Sequence, residues 1–140
     1  MKDIKELLPH REPFLFVDRL VSRDDVSAVG EYTFTAEKND FFRGHFPGNP
    51  IVPGVILVES MAQVCAASVV AGGSFGDRTP LFYLAAVSDV RFLHPVRPGD
   101  KLVTHAKNGR SRGRFCSFEV EGFVGDERVV KATLKCIIEA

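Results

Sequence analysis

The sequence predicts an α+β domain in which an antiparallel sheet of about six strands curls around one long central helix. Two observations carry that expectation. The segment from Val55 to Ala71 holds neither Gly nor Pro, is apolar around nearly its whole circumference, and is followed by Gly72-Gly73 as a stop. Most of the remaining chain breaks into strand-like runs separated by turn-forming pairs, with no repeat, linker or low-complexity stretch. Residues 1–140 are therefore expected to form a single domain.

In chain order, Ile4, Leu7 and Leu8 make a short helical stripe ended by Pro9, and residues 14–21 read as a first strand. After the polar turn Ser22-Arg23-Asp24-Asp25, the residues Val26, Ala28, Gly30, Tyr32 and Phe34 alternate with Ser27, Glu31, Thr33 and Thr35, the pattern of a half-buried strand. From Ala36 to Pro53, glycines at 44 and 48 and prolines at 47, 50 and 53 punctuate the chain too heavily for a regular element, so an ordered loop is expected. The helix from Val55 to Ala71 would be about 25 Å long. Its all-round apolarity implies enclosure by other structure, while Glu59, Ser60 and Gln63 interrupt it too early for a membrane span. Four more strands follow at 81–93, 101–109, 113–124 and 127–139. Pro98-Gly99 supplies a tight turn, Gly125-Asp126 a two-residue hairpin, and Val130, Ala132, Leu134, Cys136 and Ile138 recur with a period of two.

Composition narrows the function classes. Eighteen basic and eighteen acidic residues cancel, so net charge points to neither nucleic acid nor an anionic membrane surface, while 45% hydrophobic content with 12 Phe supplies a proper core. The N-terminal MKDIKELLPHREPF has no continuous apolar segment, so neither a secretory signal nor a membrane span is expected, and a cytoplasmic location is the default. Cys65, Cys116 and Cys136 are odd in number and far apart, which suits reduced core residues better than a disulfide framework. The histidines at 10, 45, 94 and 105 show no paired ligand spacing, so no metal is assigned. His94 and His105 are read as structural.

The chemistry concentrates between Gly44 and Gln63. Glu59 is one acid in an apolar helical run, and a chain that keeps a carboxylate there is expected to use it. His45, held in Gly44-His45-Phe46-Pro47-Gly48, is the candidate partner, because a histidine titrates near neutral pH and burial raises a carboxyl group toward the same range. The plain alternatives are a histidine that caps a loop and a carboxylate in a structural ion pair. Gln63 stands one turn from Glu59 on the same helical face and can join it in a polar island. Pro53-Gly54 leaves free N–H groups at the positive end of the helix, where an oxygen gaining negative charge can sit and no Gly54 side chain blocks its approach. A plain helix start is the alternative. Arg110, Arg112 and Arg114 around Gly113 form a basic turn that suits a phosphate or an acidic protein, or simply a solvated hairpin tip, and Tyr83 suits either an apolar tunnel or the core.

The run from Phe41 to Gln63, FFRGHFPGNPIVPGVILVESMAQ, resembles the 3-hydroxyacyl-acyl-carrier-protein dehydratases of type II fatty acid synthesis, which have the hot-dog fold. His10-Arg11 with Pro13-Phe14-Leu15 and Val17-Asp18, then Phe82-Tyr83, Arg91-Phe92, Pro95-Val96 and Pro98-Gly99-Asp100, are similar to further landmarks of that family in the same order. Departures fall at Glu12, at Lys38-Asn39-Asp40 and at Leu93-His94, none of them at His45 or Glu59.

The resemblance implies a (3R)-hydroxyacyl thioester on the phosphopantetheine arm of an acyl carrier protein as substrate, with no cofactor. His45 would remove the C2 proton and Glu59 would help the C3 hydroxyl leave. Backbone N–H groups near Gly54 and Val55 would hold the thioester oxygen, and Gln63, Phe46 and Tyr83 would contact substrate, Tyr83 as an aromatic gate. Arg110, Arg112 and Arg114 are the candidate carrier contacts. The two catalytic side chains would come from opposite subunits of a homodimer, often assembled as a trimer of dimers. The isomerising relatives have Asp where Glu59 stands, which places this chain with the non-isomerising enzymes. A hot-dog thioesterase and a non-catalytic carrier-binding subunit are the competing readings. Edge-to-edge pairing is also expected physically, since a sheet wrapped on one helix leaves open edges.

Overall fold

The computed structural model describes residues 2–139. A short helix α1 (Ile4–Leu7) precedes strands β1 (Arg19–Arg23) and β2 (Ala28–Thr33), a 3-10 turn spans Asp40–Arg43, and the long helix α2 covers Gly54–Ala71. Strands β3 (Leu81–Phe92), β4 (Lys101–Arg112), β5 (Phe115–Val124) and β6 (Glu127–Glu139) complete one antiparallel sheet in the order β1-β2-β4-β5-β6-β3.

α2 packs against all six strands. By length and composition alone it could span a bilayer, but 67% of that apolar window is buried inside the fold, so its all-round apolarity reflects enclosure. Met61, Val64, Cys65 and Ala67 are at most 1% exposed. β2 crosses the helix closely: a Cβ on Gly30 would stand 2.6 Å from Val64 Cγ2, so glycine sets the approach. The sheet bends around the helix at bulges, two of which hold the positive-φ residues Asp89 and Asn108, between Ser88 and Arg91 and between Lys107 and Arg110. Along β6, Val130, Ala132, Leu134 and Cys136 face the core as the period of two predicts. All three cysteines are buried and free, and burial pushes the Cys65 thiol well above its usual range.

β4 runs past its expected end at 109, so Arg110 and Arg112 lie in that strand and not in the turn, and the larger departure is at the first strand. The first strand begins at Arg19, not at residue 14, and the stretch before it is extended without joining the sheet. Its backbone is occupied by α2 side chains: Phe16 N–H donates to Gln63 Oε1 at 2.7 Å, Ser60 Oγ donates to Phe16 O at 2.7 Å, and Gln63 Nε2 donates to Phe14 O at 2.9 Å. Pairing with the sheet resumes where Asp18 N–H meets Glu31 O. Leu15, Phe16 and Val17 are buried regardless, so an apolar run looked like a strand while its polar atoms were committed to a helix. Val26, placed on the inward face by alternation, is 52% exposed ahead of β2.

Candidate active site

His45 sits in the loop between the 3-10 turn and α2. Its backbone N–H donates to Phe41 O, and its Nδ1 lies 3.0 Å from Ile51 O. A carbonyl can only accept, so Nδ1 carries a proton, and in the neutral ring Nε2 is the nitrogen with the lone pair. The ring packs on Phe46 with centroids 4.4 Å apart; Phe46 itself has φ 55° and is 57% exposed. Together with Ile51, Gly54, Val55, Phe92 and His94, His45 lines an open, mainly apolar cavity of about 480 Å³.

That cavity meets the start of α2. Pro53 caps the helix and accepts from Ile56 and Leu57 N–H, whereas the Gly54 and Val55 N–H groups have no acceptor among the described residues. The geometry therefore offers two donors at the positive helix end beside a basic imidazole nitrogen. Gly54 has a packing duty as well. A Cβ there would stand 2.8 Å from Phe92 Cζ, so the wall of the cavity itself requires the absence of a side chain.

Glu59 lies farther along α2 and faces a different place. Its Oε2 accepts from Gln63 Nε2 at 2.8 Å, the polar island expected from their spacing. Gln63 is 1% exposed with both amide hydrogens engaged, by Phe14 O and Glu59, so it holds the acid instead of reaching outward as a substrate contact. The imidazole nearest Glu59 is His10, with Nε2 at 3.7 Å, and not His45. His10, Glu59, Gln63, Tyr83 and Cys136 surround a cavity of about 30 Å³. Within one chain His45 and Glu59 thus line separate hollows. Sequence reasoning missed His10 because nothing in its spacing ties it to Glu59; the pointer was the cost of an acid in a core helix, which requires some nearby polar partner.

Tyr83 is 48% exposed at the rim of the Glu59 hollow, near the free edge of the sheet. Across the strands, Arg112, Phe115, Ile137 and Tyr83 are successive register partners and so share one face, the outer one, since the neighbouring Cys116 and Cys136 are buried. Arg110, Arg112 and Lys135 flank a groove of about 220 Å³ beside Phe115, itself 51% exposed, and none of these cations is within ion-pair distance of a carboxylate among the described residues. Arg114 is at the hairpin tip, outside that groove.

Residues 8–133 match the FabA-like domain family. The chain is 38% identical, over 99% of its length and 96% of the relative's, to the 3-hydroxyacyl-[acyl-carrier-protein] dehydratase FabZ of Wolbachia sp. subsp. Brugia malayi, and 37% identical, over 97% and 90%, to the FabZ of Klebsiella pneumoniae subsp. pneumoniae. The chain belongs to the FabA-like family, among the FabZ dehydratases. A solved structure, the dehydratase heterocomplex ApeI:P from Xenorhabdus doucetiae, is similar over 100% of this chain and 93% of that one with a TM-score of 0.88 at 19% identity, a likeness of fold. The architecture is the hot-dog fold.

Proposed function

We propose that residues 1–140 form one dehydratase domain that converts (3R)-hydroxyacyl thioesters on acyl carrier protein to trans-2-enoyl thioesters, in fatty acid biosynthesis or a related lipid pathway in the cytoplasm. The observation that carries the reading is the His45–Ile51 contact: with Nδ1 held by Ile51 O, Nε2 of the neutral ring is the free nitrogen beside a cavity that ends at two free backbone N–H groups. A thioester oxygen on the Gly54 and Val55 N–H groups gains negative charge as His45 Nε2 takes the C2 proton. The protonated form of Glu59 gives its proton to the C3 hydroxyl, the C3–O bond breaks, water leaves and the C2–C3 double bond forms. Solvent then returns one proton to Glu59 and removes one from His45. Phe46 and the apolar cavity wall contact the acyl thioester, and Tyr83 gates the entrance. Neither proton transfer calls for a metal or nucleotide.

The separation of His45 from Glu59 is resolved by a second copy of the chain. β3 is the free edge; its Phe92 end walls the His45 cavity and its Tyr83 end borders Glu59. Two β3 edges pairing antiparallel about a two-fold axis set the Phe92 end of one against the Tyr83 end of the other, which brings each His45 toward the partner's acid. The homodimer is the minimal active unit, and three such dimers can assemble further. The carrier docks by its acidic surface on Arg110, Arg112 and Lys135, with Arg114 at the margin, because that groove runs along the register row to Tyr83 and lacks internal counter-charges.

The assay is the absorbance of the conjugated enoyl thioester, with free thiol measured beside it to detect a thioesterase. His45→Ala and Glu59→Gln each lower the rate about a hundredfold or more with fold and dimer retained. Unfolded together and refolded, the two inactive proteins recover about a quarter of the wild-type rate, since half of randomly mixed dimers hold one intact site of two. No enoyl signal from the wild type on carrier-bound or coenzyme A substrates overturns the assignment. No recovery in mixed dimers verified by mass overturns the shared site.

A further inference from the structure

Glu59 is gripped on one oxygen only. Oε2 accepts from Gln63 and lies 3.7 Å from His10 Nε2, whereas Oε1 has no partner among the described residues. His10 does not drift into this position. Leu7 and Leu8 anchor the preceding turn in the core, and the Arg11 guanidinium ties it by donating to Leu8 O at 2.8 Å, His10 O at 2.6 Å and Lys5 O at 2.9 Å. The following segment is fixed by Gln63 and Ser60, so the residues that orient the acid also orient the imidazole. The His10 ring is mostly covered, and its Nδ1 is buried with no hydrogen-bond partner.

That orphan nitrogen selects the tautomer. A neutral ring protonated at Nε2 presents an N–H to Glu59 and leaves Nδ1 as a bare lone pair. The other tautomer would bury an unsatisfied N–H and set a lone pair against the carboxylate oxygen, the costlier arrangement. Burial lowers the His10 pKa, the Glu59 charge works against that, and Arg11 adds to it, so the neutral form prevails near neutral pH. The other titratable groups facing the ring across the small cavity are Tyr83 from β3 and Cys136 from β6.

We propose that His10 is a positioning residue for Glu59: its Nε2–H and the Gln63 amide together hold Oε2, so that Oε1 is the oxygen presented to the substrate hydroxyl. At 3.7 Å the contact is too long for a hydrogen bond, and acid–base contacts in unliganded sites commonly shorten when substrate binds. When Glu59 has given up its proton, the carboxylate finds two N–H donors already aimed at one oxygen. The inference rests on Glu59 being the acid of the dehydration.

His10→Ala is expected to lower kcat by about tenfold to a hundredfold with KM nearly unchanged, the scale of a lost hydrogen bond to a charged group. His10→Gln places an amide nitrogen near the position of the imidazole Nε2 and recovers most of the rate; His10→Asn, whose amide falls nearer Nδ1, does not. In a Glu59→Gln background, His10→Ala costs nothing further, because it acts only through the acid. By NMR, the His10 ring titrates below the ordinary histidine range, and Glu59→Gln moves its midpoint lower still. A wild-type kcat in His10→Ala, equal losses in the Gln and Asn variants, or a full additional loss in the Glu59→Gln background overturns the inference; should the Ala variant fail to fold, the Gln and Asn pair decides. A His10 midpoint unmoved by Glu59→Gln overturns it even if the wild type dehydrates nothing, an outcome that would sink the dehydratase reading on its own.

Discussion

The two edges of the sheet are built differently. β1 is five residues long, bulged between Leu20 and Ser22, and carries Arg19 and Arg23; Arg19 is tied to Glu31 at 2.7 Å, and Glu31 is tied in turn to Lys101 at 3.5 Å. β3 is twelve residues long, and its Leu81, Tyr83, Leu84, Val87 and Phe92 are each at least 40% exposed. Short, bulged, charged edges resist pairing with another sheet, whereas a long apolar edge invites it. β1 closes the sheet against water, and β3 leaves an apolar edge open, the edge on which the proposed dimer would form.

The sharpest way to break this contrast is to place one charge on each edge. Val87→Lys on β3 is expected to give a monomer by mass and to lower dehydration about a hundredfold or more with His45 and Glu59 intact, as the proposed shared site requires. Val21→Lys, at 38% exposure on β1, leaves mass and rate near wild type. An active Val87→Lys monomer would show that one chain assembles the whole site.

This contrast was only half legible in the sequence. Strand and helix positions followed from period and punctuation, since burial on one face writes itself into residue type, as along Val130, Ala132, Leu134 and Cys136. Residues 14–18 misled because their apolar side chains are buried as a strand's would be, while hydrogen bonds from Gln63 and Ser60 replace a ladder, and side chains 44 to 49 positions away leave no local trace. His45 and Glu59 could be picked out by the oddity of polar residues in apolar or glycine-rich surroundings. The presence of His10 beside the acid depends on the N-terminal segment being held against α2 by Gln63 and Ser60, contacts 44 to 49 positions apart that no single segment encodes.

At its Phe92 end, β3 meets the His45 cavity. Gly54→Ala sets a methyl group against the Phe92 ring, where the nearest approach would be 2.8 Å, so the helix start or the ring must move. Such overpacking costs about 1–3 kcal/mol, and because both groups line the His45 cavity, a fall in kcat of about tenfold is expected with the dimer retained. Phe92→Leu in the same protein should restore much of the loss. If it restores none, glycine is required for the approach of the ligand and the packing account is wrong.

The smallest expected effect lies on the closed edge. Arg19, hydrogen-bonded to the Glu31 carboxylate, holds its pKa below the usual carboxylate range, with the Lys101 charge helping against the cost of desolvation. A group whose pKa is lower in the folded chain adds stability that is present above the unfolded value, near 4.3, and is lost as pH falls through the folded value. Glu31→Gln should therefore lower the melting temperature modestly at pH 7, by an amount equivalent to about 0.5–1 kcal/mol, and the gap to wild type should close below about pH 4. Added salt should narrow the gap as well, since Arg19 is largely exposed, yet the same salt should leave the dimer intact because apolar contact along β3 is not screened. A gap that persists at pH 3 would mean that Glu31 acts through packing instead of charge. A dimer that dissociates with salt would mean that the two edges are held by the same kind of force, contrary to the contrast between them.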